Sequence, residues 1–240
     1  MPVEFLARSL QYTANGNGDP FTDTLNPSED TPGDPTSVGD LLILIAGGRY
    51  NAADGETITV PAGWTLLGDL DQEDITGGTT RQRLAVWGKI ATSSDISSGV
   101  EVTFSASYGT NFTRSRCAQV LTYTGARGIN LVAGPVYDGF PDPASPPETF
   151  EWPDPSPSGA VTIFCAGMGR FSDSSWPTTR EGFTRQAYIT PQVNYSMVLL
   201  DEFTTSPPVD MSSHSVAAAV GGISFALRDR SDAGWKVGTL

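Results

Sequence analysis

The chain has 240 residues, 38% of them hydrophobic and only 17% charged, with 14 Lys plus Arg against 27 Asp plus Glu for a formal net charge of -13. So acidic a protein repels phosphate backbones and anionic lipid, so neither a nucleic-acid partner nor membrane insertion is expected, and no run of about 18 apolar residues is present to span a bilayer. With 26 Gly and 18 Pro spread without a period, the composition favours strands and tight turns over helices.

The apolar segments are short and separated by turn residues, the pattern of an all-β protein. The opening stretch, Met1 to Tyr12, has no basic start followed by a long apolar core, so it does not read as a secretory leader. Its first strand is expected over Glu4 to Tyr12, followed by a polar stretch from Ala14 to Ser37. Strands are then expected at Asp40 to Ala46, Thr57 to Val60, Trp64 to Leu70, Arg83 to Ala91, Val100 to Ala106 and Cys117 to Tyr123. Val100, Val102, Phe104 and Ala106 alternate with Glu101, Thr103 and Ser105, which turns one face inward. Eight prolines fall between 135 and 157, so that segment cannot be a central strand. Phe140, Phe150 and Trp152 within it favour a crossover packed on the outside over a free linker.

Four further strands are expected at Ala160 to Gly167, Phe183 to Ile189, Tyr195 to Phe203 and Gly222 to Arg228, in an order that echoes the first half. Leu41 to Leu44 resembles Val161 to Phe164, Gly63-Trp64-Thr65 resembles Gly182-Phe183-Thr184, Leu84 to Ile90 resembles Tyr195 to Phe203, and Val120 to Tyr123 matches Ile223 to Ala226. The reading is a single domain over 1–240, a jelly-roll-like antiparallel β-sandwich with an internal pseudo-repeat. Its half-repeats cover about 38–125 and 158–229, a Pro-rich crossover 135–157 joins them, and 231–240 forms a C-terminal arm. Cys117 and Cys165, inside apolar runs, read as buried free thiols that could pair only if their strands were neighbours.

Candidate chemistry is sparse. His214 is the one histidine and has small polar neighbours, so it reads as a loop residue; no nucleophile elbow accompanies it, and no zinc-ligand spacing exists. Asp69, Asp71, Glu73 and Asp74 could supply a pair of carboxylates for glycoside hydrolysis, although a solvated turn is the plainer reading. Asn15, Asn17 and Asp19 place oxygens at alternate positions, a weak calcium loop whose plainer reading is a polar turn. No resident metal or other cofactor is expected. Tyr50, Tyr108, Phe112, Phe171, Trp176 and Tyr188 are aromatic groups near strand ends; of these, Tyr108, Phe112, Trp176 and Tyr188 are the candidates for a sugar-stacking platform, with core or subunit contacts as the alternative. Trp64 and Trp87 are expected in the core. Arg81, Arg83, Arg114 and Arg116, with Trp235 of the tail, are candidate interface anchors.

Val38-Gly39-Asp40-Leu41-Leu42-Ile43, Val60-Pro61-Ala62-Gly63-Trp64-Thr65, Val86-Trp87-Gly88-Lys89-Ile90-Ala91 and Ala118-Gln119-Val120-Leu121-Thr122-Tyr123-Thr124-Gly125, in that order, resemble a module of tailed-bacteriophage virion structural proteins. It occurs in minor tail, fibre-associated and head-surface proteins, and the resemblance covers about Val38 to Gly125. It implies a β-sandwich, a place on the virion surface as a head decoration, spike or tail-tip component, and other virion proteins as partners. A homo-oligomer is the expected state; no catalytic residues come with the resemblance, and an enzyme is not expected. Two alternatives stand beside this reading: a host-adsorption module binding a surface glycan, and a polysaccharide-degrading enzyme.

Overall fold

The structure, a computed structural model, describes residues 3–16, 20–30, 35–51, 55–73, 80–105, 114–138, 148–150, 161–169, 179–180, 183–192, 195–204, 214–216 and 220–229. In chain order the first half contributes β1 (Glu4–Arg8), β2 (Tyr12–Gly16), β3 (Phe21–Leu25), β4 (Leu41–Asn51), β5 (Thr57–Thr59), β6 (Thr65–Glu73), β7 (Thr80–Ile90), α1 (Ser93–Ser98), β8 (Val100–Ser105) and β9 (Arg114–Thr124). The second half contributes β10 (Ala126–Asp138), β11 (Glu148–Phe150), β12 (Val161–Gly169), β13 (Thr179–Arg180), β14 (Phe183–Gln192), β15 (Tyr195–Thr204), β16 (His214–Val216) and β17 (Val220–Asp229). The protein is therefore all-β and antiparallel, as its composition predicts.

The strands form two large sheets and two small ones. The first large sheet has the order β1-β9-β4-β7-β6, with β2 continuing beside β9 beyond the end of β1; the second has the order β10-β17-β12-β15-β14-β13. Strands β3, β8 and β5 make a three-stranded sheet, and β11 pairs with β16. Each large sheet thus comes from one half of the chain, the boundary being the single residue Gly125 between β9 and β10.

The long apolar runs are explained by layering. In β4, Leu41, Ile43 and Ile45 enter a core shared with the second large sheet, whereas Leu42, Leu44 and Ala46 enter a core shared with the three-stranded sheet. β7 does the same, with Leu84 and Val86 on one side and Ala85 and Trp87 on the other. A strand buried on both faces has no polar face to show, so it reads as a continuous apolar run and not as an alternation. The strand β8 lies in the outer layer and alternates, Val100, Val102 and Phe104 pointing inward. Between the large sheets, Phe164 stacks on Phe225 and meets Tyr123 edge-on, both at 4.9 Å between ring centroids.

Several elements differ from expectation. The polar stretch after Tyr12 contains β3, and β10 stands where no strand is expected. β10 lies at a sheet edge and its register shifts between Ala133 and Val136, so Pro135 occupies a place where its missing amide costs little. The expected crossover at 135–157 accordingly contains the end of β10 and the short strand β11; the remainder of it, and the arm at 231–240, lie outside the described residues. His214 stands in β16, paired with Phe150, and not in a loop.

A short helix interrupts the strands because Thr92-Ser-Ser-Asp95 forms a capping box: the Thr92 hydroxyl accepts from the Asp95 amide, and the Asp95 carboxylate accepts from the Thr92 amide. Lys89 Nζ donates to Asp95 at 2.7 Å. Burial alone would raise the Asp95 carboxyl, but the bonds from Lys89 and Thr92 outweigh it and hold the group below its ordinary value. The helix ends at Gly99, with φ 77° and ψ -176°, a region open essentially to glycine, and a β-carbon there would lie 2.6 Å from Thr24 Cγ2. Gly99→Ala is expected to lower the unfolding free energy by about 1–3 kcal/mol, measured as a lower denaturation midpoint with an unchanged slope.

Candidate functional site

Four of the polar residues singled out in the sequence, Asp69, Asp71, Arg81 and Arg83, meet on the face of β6 and β7 turned away from the second large sheet. Pairing of these strands sets Asp71 opposite Arg83 and Glu73 opposite Arg81. Arg83 grips Asp69 through two nitrogens, at 2.9 and 2.5 Å, and also donates to the Glu56 carbonyl. Arg81 donates to the Asp71 carboxylate at 2.8 Å and to the Asp71 carbonyl at 2.9 Å. The Tyr50 hydroxyl donates to the other Asp71 oxygen at 2.5 Å. Deeper in, Arg116 donates to Glu56 and stands 5.0 Å above the Phe21 ring, with both charged side chains almost wholly buried.

Among the described side chains, three carboxylates (Glu56, Asp69, Asp71) are paired with three guanidiniums (Arg116, Arg83, Arg81). Burial, and then the bond to Asp71, push the Tyr50 hydroxyl far above its ordinary value. The Arg83 guanidinium is raised chiefly by its bond to Asp69. A tyrosine held protonated and carboxylates held by arginine suit a fixed ionic ladder better than proton transfer at neutral pH. Asp69 and Asp71 stand in β6 with their carboxylates bonded to Arg83 and Arg81, and Asp74 lies outside the described residues. Arg81, Arg83 and Arg116, candidate interface anchors in the sequence, have their guanidiniums bonded within the chain.

Glu56 escaped the sequence reading, because a lone acid between Gly55 and Thr57 carries no periodic signal of burial. Arg114 pairs through its backbone with Gly16, and Tyr188 with Val198. Tyr108, Phe112, Phe171, Trp176 and Trp235 lie outside the described residues, as do Asn17 and Asp19; Asn15 pairs through its backbone with Ser115. Among the described residues no group of three or more His, Cys, Asp or Glu is placed to hold a metal ion. Trp87 is buried and Trp64 half-buried against the same core, as expected. Cys117 faces the core between the large sheets, whereas Cys165 stands on a strand of the other sheet with Ser224 Oγ 3.5 Å from its sulfur; both are free and buried.

A second polar group lies between the large sheets. Asp201 of β15 is 9% exposed and accepts from Gln186 Nε2 at 3.0 Å, beside the buried Tyr123 hydroxyl. Arg8, paired with Asp30, donates to the Gln186 carbonyl at 2.9 Å and so ties β1 to β14. Burial raises the Asp201 carboxyl above its ordinary value, and the bond from Gln186 together with the nearby Tyr123 hydroxyl offsets this only in part. A carboxyl raised on folding binds its proton more tightly in the native state. Its ionisation therefore costs native stability as pH rises from about 4 through the raised folded value. Asp201→Asn is expected to melt at a higher temperature than the parent chain at pH 8, the difference closing towards pH 4.

Together these features define an antiparallel β protein of stacked sheets with an arginine–carboxylate ladder on the β6–β7 face turned away from the second large sheet. No protein-family model, curated protein or solved structure matches the chain.

Proposed function

We propose that the chain is a structural protein of the bacteriophage particle surface, a head decoration or spike or a tail-tip or fibre-associated component, which assembles through protein–protein contacts. The observation that carries this reading is the placement of the four resemblance segments. They fall on β4, on the entry to β6, on β7 and on β9, which lie side by side in one sheet in the order β9-β4-β7-β6. Four weak sequence motifs therefore coincide with one contiguous structural unit. The engagement of Asp69 and Asp71 by arginines supports a structural role over a glycosidase. Immunogold labelling of intact particles, with antibody against the folded chain, is expected to decorate the head surface or the tail tip. Particles that contain the chain but take no gold would overturn the surface role.

We further propose that the architecture is a sandwich with an internal pseudo-repeat, its jelly-roll-like character lying in the passage of the chain between large and small sheets. With β2 and the two-residue β13 set aside, the five remaining strands of each large sheet, numbered in chain order, have the same arrangement: β1-β9-β4-β7-β6 against β10-β17-β12-β15-β14. Both register shifts of the first sheet also have counterparts among the five of the second. One falls between Leu66 and Gly68 of β6 and its counterpart between Arg185 and Ala187 of β14; one falls between Phe5 and Ala7 of β1 and its counterpart between Ile129 and Leu131 of β10. Aligned on these shifts, Ile43 corresponds to Phe164, Leu70 to Ile189, Leu84 to Met197, Val86 to Leu199 and Leu121 to Phe225, each pair buried in the same core. The pairing β3–β8 has its counterpart in β11–β16.

A further inference from the structure

We infer that the contact between the two large sheets is isologous: each half docks on the other as a second copy of itself would, so the chain is a symmetric dimer interface enclosed in one polypeptide. This rests on the pseudo-repeat proposed above and goes beyond it, because repeated halves could equally stack head to tail.

The argument is the reciprocity of the contacts. β10 and β17 lie over β6, β12 over β7, β15 over β4, and β14 over β9 and β2. Exchanging each strand for its counterpart turns β17 over β6 into β9 against β14, and β12 over β7 into β4 against β15. Both of these exchanged contacts exist, whereas the smaller contact of β10 with β4 has no counterpart between β1 and β12 among the principal contacts. The contact of β10 with β6 becomes β1 with β14, which the Arg8 bond to the Gln186 carbonyl supplies. A surface in which i meets j and j meets i is the mark of a two-fold interface, whereas a head-to-tail stack would bring different strand sets together. The pseudo-axis passes where β4 and β7 cross β15 and β12, through the layer of Ile45, Val86, Ala166 and Leu199.

Side-chain sizes follow the same rule at one pair of positions. A β-carbon on Gly68 would lie 2.8 Å from Ile223 Cδ1, so a bare backbone in β6 receives a branched side chain from β17. The counterparts of these two residues are Ala187 and Gln119, a small residue in β14 and a longer one in β9, both buried. The polar string through Asp201 breaks the symmetry, since Gly88 occupies the position equivalent to Asp201. The surface that fits this fold is thus the inner face of the fold itself, and the chain fills the space of two subunits.

Double-mutant cycles on the full chain test this, with denaturation midpoints as the readout. Gly68→Val should lower the midpoint, and the loss should shrink when Ile223→Ala is already present. If the interface is isologous, Ala187→Leu should likewise be relieved by Gln119→Ala. Coupling at 68/223 with strict additivity at 187/119 would overturn the isologous contact and leave the sandwich standing. Additivity at both pairs would remove the face-to-face packing as well, and with it the fold proposed above. Should leucine at 187 prevent folding, Ala187→Val with Gln119→Ala is read in the same way.

Discussion

Glu56→Ala is expected to lower the unfolding free energy by about 3–5 kcal/mol, the largest loss foreseen for any single polar substitution in this chain. The side chains of Glu56 and Arg116 are 3% and 1% exposed, so neither charge can turn to water when its partner is removed. Alanine at 56 would take the Glu56 carboxylate away from a guanidinium buried in a place of low dielectric between β9 and the outer sheet, beside the Phe21 ring. Glu56→Gln keeps a hydrogen-bond acceptor but removes the charge, and should fall between the two. The double change Glu56→Leu with Arg116→Met, which removes both charges and keeps most of the volume, should recover much of the loss. Urea denaturation of the four proteins decides the matter. Equal destabilisation by the single and double changes would mean that packing, and not the uncompensated charge, sets the cost.

Phe164→Ala should cost a similar amount, about 3–5 kcal/mol, for a different reason. Phe164 is fully buried in the core between the large sheets, stacked on Phe225 with the ring planes 3° apart and edge-on to Tyr123 at 88°. Its removal forfeits the transfer of the ring from water and leaves a void lined by rigid neighbours in two different sheets. Sheets pinned by long antiparallel registers on either side, β15 and β17 for Phe164, have little freedom to close such a void. Phe164→Leu should lose less, because it retains most of the apolar volume. A loss below about 1 kcal/mol for the alanine variant would mean that the two sheets do not share a tight core there.

The fold class and most strands were legible because short apolar runs and turn residues are local signals. The layering was not. Leu41 to Ala46 reads as one apolar strand, and nothing in it says that alternate residues belong to two separate cores. The echo between the halves is legible in order, and the pseudo-repeat proposed above would set it in another register: the alignment of Leu41 with Val161 differs by one residue from that of Ile43 with Phe164 on the strand shifts. A one-residue slip exchanges the two faces of a strand, so the echo was seen without its core. β10 was hidden because Gly128, Asn130, Gly134 and Pro135 interrupt its apolar residues, which an edge strand tolerates and a central one does not. At the ionic ladder, Asp69, Asp71, Arg81 and Arg83 were all conspicuous. Their mutual pairing depends on the register of β6 against β7, which no single segment encodes.

The irregular edges of the large sheets bear on how copies of the chain avoid pairing with one another strand to strand. One edge of the first sheet is bulged at Phe5/Ala7 and closed by the Arg8–Asp30 bridge, and the other is bulged at Leu66/Gly68 and carries Asp69 and Asp71. In the second sheet one edge shifts register three times around Pro135, and the other ends in the two-residue strand β13. Among the described residues none of the four edges offers a long, straight ladder on which a neighbouring chain could continue the hydrogen bonding. On the virion-surface reading proposed above, irregular edges of this kind would leave copies free to meet through specific contacts and not through strand-to-strand growth into fibres.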